Sequence, residues 1–250
     1  MSNLTEERLT LTTNFSVTSA DTDMFSRLRL GGLVNFLIQS AIQSADDLGF
    51  GFRDISQQKL FWVLSRLTLK IYRPVEWYEQ IEVETWPKDV ERIIYLRDFV
   101  VRDKRKQVVA CATSGWLAVD LETKRPKRIE GVGADFFTHL NEKHALEQSP
   151  EKIIPVKEAG EPFKIQSSYY DIDLNRHVTS TRYIDWMMDT FSIEFHEKNY
   201  PYSLSINYMK ETRPKEIIHL YRTEKENQKF LFEGVNAGAD TTAFRGKIDF

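Results

Sequence analysis

Hydrophobic positions along this chain change their period several times, and each change marks an element. Leu9 to Val17 (Leu-Thr-Leu-Thr-Thr-Asn-Phe-Ser-Val) alternates in the two-residue rhythm of a half-buried strand. Leu33, Val34, Leu37, Ile38, Ala41, Ile42, Ala45 and Leu48 then recur at helical spacing, with Gly49 and Gly51 as a stop. Phe61–Tyr72, Gln80–Trp86, Ile93–Arg102 and Val108–Val119 are β-branched and aromatic runs, the last two joined by the basic turn Asp103-Lys-Arg-Lys-Gln107. One long helix followed by an antiparallel meander predicts an α+β layer in which a sheet wraps a helix. A second amphipathic stripe falls on Tyr183, Ile184, Met187, Met188 and Phe191, and Thr179 or Ser180 can cap it.

The pattern is written twice. Asp21-Thr-Asp-Met-Phe-Ser-Arg-Leu lies over Asp171-Ile-Asp-Leu-Asn-Arg-His-Val at an offset of 150, and Leu33-Val-Asn-Phe-Leu over Tyr183-Ile-Asp-Trp-Met. Leu64–Pro74 matches Leu204–Pro214 at an offset of 140. Pro126 to Lys164 lacks regular patterning apart from possible helical turns around Ala134 to Leu146. The chain thus divides into a unit at 1–130, a linker at 131–163 and a second unit at 164–250. Neither copy covers its own sheet edge and helix face, so pairing them is expected.

Length and composition narrow the class. The 250 residues, 41% hydrophobic and 28% charged, suit a folded soluble protein, and the net charge of −3 offers no general argument for nucleic acid. The single cysteine, Cys111, precludes an internal disulfide and falls on a predicted strand as a small buried group. Leu30–Ala45 carries no charge but is broken by Asn35, Gln39, Ser40, Gln43 and Ser44, so no membrane span is expected. The start of the chain shows neither signal core nor transit-peptide composition, and a cytoplasmic address is expected.

Candidate chemistry gathers in the second copy. Asp173, Asn175 and His177 alternate just before the second helix, and Glu211 follows a predicted strand. At about 3.3 Å per residue an extended segment would hold Asp173 and His177 roughly 13 Å apart, so the segment is expected to curl. A carboxylate can serve as general base, while amide, imidazole and a helix N-terminus can stabilise an oxyanion. The same residue types are also common turn and cap formers. The first copy has Phe25, Arg27 and Ile71 where the second has Asn175, His177 and Glu211, which favours one active site per chain. Asp21 and Asp23 could form a second carboxylate site, but Phe25 and Arg27 beside them favour a relic or a structural turn. No Gly-x-Ser-x-Gly elbow occurs, and His139, His144, His196 and His219 share no metal-ligand spacing, so neither metal nor cofactor is expected.

These residues carry a family resemblance. Asp173-Leu-Asn-Arg-His-Val178 with Tyr183-Ile-Asp-Trp186 resembles the Asp-x-Asn-x-His-Val…Tyr-Ile-x-Trp signature of acyl-acyl carrier protein thioesterases. Asn207-Tyr-Met-Lys-Glu-Thr-Arg213 is similar to their Glu-Tyr-x-x-Glu-Cys segment, with Thr212 in place of Cys. Leu60-Phe-Trp-Val-Leu-Ser-Arg66 resembles their Trp-Val-x-x-Arg strand, and Val83–Trp86 and Leu96–Asp103 resemble the strands that follow.

The resemblance implies a tandem (double) hotdog fold, two antiparallel sheets merging around two long central helices. It also implies hydrolysis of an acyl-carrier thioester in fatty-acid biosynthesis. The implied catalytic set is Asp173, Asn175, His177 and Glu211. In the scheme expected from it, Glu211 activates water, and His177 with the first helical amides near Val178 polarises the carbonyl. Asn175 positions water or carbonyl, and Asp173 orients Asn175 or His177. The first unit would supply the wall of the acyl pocket. The partner implied is acyl carrier protein with its phosphopantetheine-linked chain, and the basic clusters Lys104–Lys106 and Lys124–Arg128 are candidates to steer it. Acyl-coenzyme A as substrate, or a non-catalytic acyl-binding role on the same fold, are the alternatives, and the state is a monomer or homodimer.

Overall fold

The computed structural model describes residues 4–130, 135–156, 160–226 and 228–250; parts of the expected linker, including Ala134, lie outside them. Among the described residues ten strands form one antiparallel sheet: β1 (Leu11–Ser16), β2 (Leu60–Ile71), β3 (Gln80–Glu91), β4 (Ile94–Asp103), β5 (Val108–Asp120), β6 (Phe163–Gln166), β7 (Ser203–Tyr208), β8 (Ile217–Glu224), β9 (Lys229–Asn236) and β10 (Thr241–Asp249). Their spatial order, β1-β3-β4-β5-β2-β7-β10-β9-β8-β6, reads as one five-strand unit followed by its mirror-ordered copy. The helices are α1 (Glu6–Leu9), α2 (Leu30–Asp47), α3 (Phe52–Ser56), α4 (Asp135–Thr138), α5 (Ser180–Met188) and α6 (Ile193–Lys198). The tandem α+β architecture implied by the resemblance is the one observed.

The copies join where β2 pairs with β7, and Thr68 there faces Ser205 with their hydroxyls 3.2 Å apart. Loop hydrogen bonds give the true correspondence. Leu28 N donates to Val75 O as Val178 N does to Thr212 O, and Val17 N to Glu79 O as Ser167 N does to Glu216 O. The offset of 150 therefore holds for the hairpins and helices, but the strands correspond at 137 and not at 140. The Arg-Pro pairs at 73–74 and 213–214 draw the sequence match three residues out of step. An odd slip would turn every side chain to the other face of the sheet. Buried Leu67 and Leu69 correspond to buried Leu204 and Ile206, and Glu211 corresponds to Pro74, not Ile71.

Both principal helices lie against one face of the sheet. Leu33, Val34 and Leu37 of α2 and Tyr183, Ile184 and Met187 of α5 enter the shared core with β2, β7 and β10. The helices touch closely at Gly31, where a Cβ would stand 2.3 Å from Asp185 Oδ1. With 9 residues α5 is half the length of α2, which has 18. Phe191 lies beyond α5 and packs on Phe195, Phe230 and Phe250. Leu140 and Leu146 cover Trp86, Val100 and Cys111 in a separate cluster. Among the described residues no helix is long and apolar enough to cross a membrane.

Candidate active site

The segment before α5 curls, as its length required, into a tight hairpin. Ile172 bridges Val178, Asp173 N donates to His177 O at 2.8 Å, and Arg176 takes φ +64° to close the turn. The Asp173 carboxylate holds that turn: its Oδ1 accepts the amides of Asn175 at 2.8 Å and His177 at 3.3 Å. Asx-type bonding of this kind is what Asp offers a turn. Asp173 Oδ1 is thus taken up by the amides of its own turn, and Asn175 stands exposed near the tip with no side-chain hydrogen bond to the described residues.

The hairpin delivers His177 to Glu211. His177 Nε2 lies 3.0 Å from Glu211 Oε2, with the imidazole about a quarter exposed and the carboxylate about half (26% and 45%). Glu211 is set three residues past β7, where the amide of Val178 donates to Thr212 O at 2.9 Å and ties the two segments together. Of the four residues singled out in the sequence, these two meet.

The expected amide donors are taken. Val178 N is used by Thr212 O and Thr179 N by Asp171 O at 2.8 Å, which leaves Ser180 and Thr181 as the first free amides of α5 among the described residues. Thr179 occupies the cap position, but neither it nor Ser180 makes a side-chain cap bond. Asp171 does that positioning instead. Its Oδ2 accepts Ser168 N at 2.6 Å and Ser168 Oγ at 2.9 Å, and Arg182 Nε reaches its Oδ1 at 2.6 Å. Burial pushes the Asp171 carboxyl up, but the Ser168 donors and the Arg182 guanidinium outweigh it and hold the group below the usual carboxylate range.

Two aromatic residues that the sequence reading passed over as functional support the start of α5. Tyr208 donates its hydroxyl to Ser180 O at 3.0 Å, and Tyr183 packs against it and Phe244. Burial pushes the Tyr183 phenol up to about 12. The only signal in the sequence is that both tyrosines fall inside the two resembling motifs.

An apolar cavity of about 60 Å³ lies in the first unit, between the C-terminal half of α2 and the sheet. Phe50, Trp62, Tyr95, Trp116 and Phe137 line it, together with Arg97. Because β2 and β7 run antiparallel with Arg66 opposite Asn207, the start of β2 that carries Trp62 lies at the same end of the sheet as Glu211. The 121–128 loop follows β5 next to Leu60 and shares that end, whereas the turn at 104–106 lies at the other, beyond Ile71 and Ala110. Among the described residues no cluster of three or more His, Cys, Asp or Glu is placed to hold a metal ion.

Comparison with known proteins gives two family matches, to the acyl-ACP thioesterase N-terminal domain over residues 8–134 and to its C-terminal domain over residues 156–250. The chain is 22% identical to oleoyl-acyl carrier protein thioesterase 1, chloroplastic, of Arabidopsis thaliana, covering 87% of this chain and 65% of that protein. It is 24% identical to palmitoyl-acyl carrier protein thioesterase, chloroplastic, of Gossypium hirsutum, covering 83% and 53%. The chain therefore spans less than two thirds of the length of these curated relatives. An acyl-ACP thioesterase structure from Bacteroides thetaiotaomicron VPI-5482 superposes with TM-score 0.91 at 28% identity over 99% of this chain and 100% of that one. The 12:0-ACP thioesterase from Umbellularia californica shares the fold, with TM-score 0.82 at 19% identity over 96% of each chain.

Proposed function

The chain belongs to the acyl-ACP thioesterase family, and on that premise we propose that it hydrolyses the thioester of an acylated carrier protein to free fatty acid and carrier. The observation that carries the reading is the His177–Glu211 pair at 3.0 Å, present in the second unit and without a counterpart at Arg27 and Pro74 of the first.

Glu211 takes a proton from water through the carboxylate oxygen not facing His177. Water then attacks the thioester carbon, negative charge develops on the carbonyl oxygen, and collapse of the tetrahedral intermediate breaks the carbon–sulfur bond and expels the pantetheine thiolate, which takes the proton held by Glu211 and so restores the base. The free amides of Ser180 and Thr181, at the positive end of α5, are the donors suited to that oxyanion. His177 donates to and orients Glu211. Asn175, exposed at the hairpin tip, contacts the incoming thioester or the attacking water. Asp173 acts through the turn, by fixing where His177 and Asn175 stand.

The first unit, residues 1–130, serves as the pocket wall, with the cavity under α2 receiving the chain, while residues 164–250 carry the chemistry. The carrier approaches the end of the sheet that bears Glu211, where Lys124, Arg125, Lys127 and Arg128 attract its acidic surface. Lys124, Arg125, Lys127 and Arg128 make no ion pair among the described residues, and in the other cluster Lys106 is neutralised by Glu82 at 2.5 Å, which leaves Lys104 and Arg105. This reading needs no cofactor or second chain, and it sets the reaction in the cytoplasm, in a monomer or homodimer. Release of free fatty acid from acyl-carrier substrates of graded length is the deciding measurement. Turnover on the carrier well above that on acyl-coenzyme A is expected, and the absence of hydrolysis on either would leave an acyl-binding protein.

A further inference from the structure

Arg97 is out of place in its surroundings. It sits on β4, only 5% exposed, and among the described residues it is the one charged side chain lining an otherwise hydrocarbon and aromatic cavity. Its neighbour Asp98 points to the opposite face and pairs with Lys88 at 3.1 Å, so it does not neutralise Arg97. Instead Nη1 donates to two hydroxyls, Ser44 Oγ at 2.9 Å and Thr85 Oγ1 at 3.3 Å, and no carboxylate pairs with the guanidinium among the described residues. Burial alone pulls the guanidinium down to about 9, which still leaves it charged at neutral pH. A guanidinium has five N–H donors, and two hydroxyls on one nitrogen leave most of them unused.

We propose that Arg97 is a specificity residue that reads the distal end of the acyl chain and favours chains bearing a hydrogen-bond acceptor there, a hydroxyl or oxo oxygen, over plain hydrocarbon of equal length. The inference rests on the thioesterase reading above and deepens it. A methylene pressed against Arg97 leaves its donors dry, whereas an oxygen accepts from them without adding a second buried charge. Sites built around a buried donor discriminate strongly against the analogue lacking the acceptor, because the donor is left unpaired. The volume of about 60 Å³ admits the tip of a chain, so the oxygen it accepts lies toward the distal end and not beside the thioester.

The test compares carrier-bound acyl chains of one length, with and without a hydroxyl on the last few carbons, in wild type and Arg97→Met. Wild type should show kcat/KM about tenfold or more higher for the oxygenated chain. Arg97→Met should lose that preference, the ratio of the two kcat/KM values falling to near one. A wild-type ratio near one, or a folded Arg97→Met variant that keeps the preference, overturns the proposal. Hydrolysis of neither substrate by wild type would instead overturn the thioesterase reading, and this proposal with it. Should Arg97→Met fail to fold, quenching of Trp62 and Trp116 fluorescence by the free hydroxylated and plain acids decides on wild type alone. About tenfold tighter binding of the hydroxylated acid is expected, and equal binding refutes it.

Discussion

Two corners of this molecule have the same backbone and opposite uses. In the second unit Asp173 folds a hairpin that presents His177 to Glu211. In the first unit Asp23 folds the equivalent hairpin with the same bonds: Oδ1 accepts Phe25 N and Arg27 N at 2.9 Å, Asp23 N donates to Arg27 O at 2.8 Å, and Ser26 takes φ +63°. There the residue matching His177 is Arg27, paired with Asp23 at 2.8 Å and donating to His196 O and Asn199 O at the C-terminal end of α6. The turn is the shared scaffold. What sits on it decides whether the corner is a strut or a site: a guanidinium that satisfies helix carbonyls locks the units together, and a partly exposed imidazole beside a half-exposed carboxylate is left available.

The sharpest way to break the comparison is to disable the second corner alone. Glu211→Gln keeps shape and polarity but removes the base, and should lower kcat by roughly 10²- to 10³-fold without a measurable change in thermal midpoint. Turnover within a few-fold of wild type would remove Glu211 from that role. The mirror experiment is at Arg27. Arg27→Met loses an ion pair and two charge-assisted bonds to helix-end carbonyls, and should cost about 1–3 kcal/mol in urea unfolding. The kcat of the protein that remains folded should be unchanged. If Arg27→Met instead cut kcat as deeply as Glu211→Gln while leaving stability intact, the first corner would be a second site.

The hairpins, α2 and the strands of the first unit are legible in the sequence because each has one strong periodicity and a turn residue at its end. The repeat was legible at 150 because the Asx turns keep Asp at fixed spacing, but the strand offset was not. The Arg-Pro pairs draw the match to 140, against a two-residue alternation that sets Leu67 and Leu69 over Leu204 and Ile206, and the pairing of β2 with β7 fixes the register. His177 and Glu211 were found by residue type and by resemblance. The turn's hold on Asp173 Oδ1 was not, since a carboxylate before a turn reads the same whether it faces backbone or substrate. Arg97 was missed because a charge inside a β-branched run looks like an edge residue until the helix that covers it is in place.

The two basic clusters offer a smaller contrast, between the ends of the sheet. On carrier-bound substrate kcat/KM should fall several-fold between low salt and about 0.3 M, where the screening length is only a few ångström. Neutralising Lys124 and Arg125 should flatten that dependence, and neutralising Lys104 and Arg105 should leave it as it was. The reverse outcome would move carrier docking to the Arg27 end.

The smallest expected effect concerns the acid behind each hairpin. Thr18 holds Asp21 as Ser168 holds Asp171, but only Asp171 has a cation on the following helix: Arg182 corresponds to Gly32 in the first unit. The folded-state pKa of Asp171 is depressed relative to an unfolded Asp at about 3.9. Its ionised form therefore adds stability that is fully present above that value and is lost as pH falls through the lower, folded one. Asp171→Asn should thus be less stable than wild type at pH 7, and the gap should narrow below about pH 4, measured by urea unfolding along a pH series. Adding Arg182→Met to wild type should shrink the acid loss and complete it at a higher pH, because without the cation the folded value rises toward the unfolded one. A gap between wild type and Asp171→Asn that stays constant down to pH 3 would mean that Asp171 positions α5 by shape alone, and that the two hairpins differ only in the residue they present.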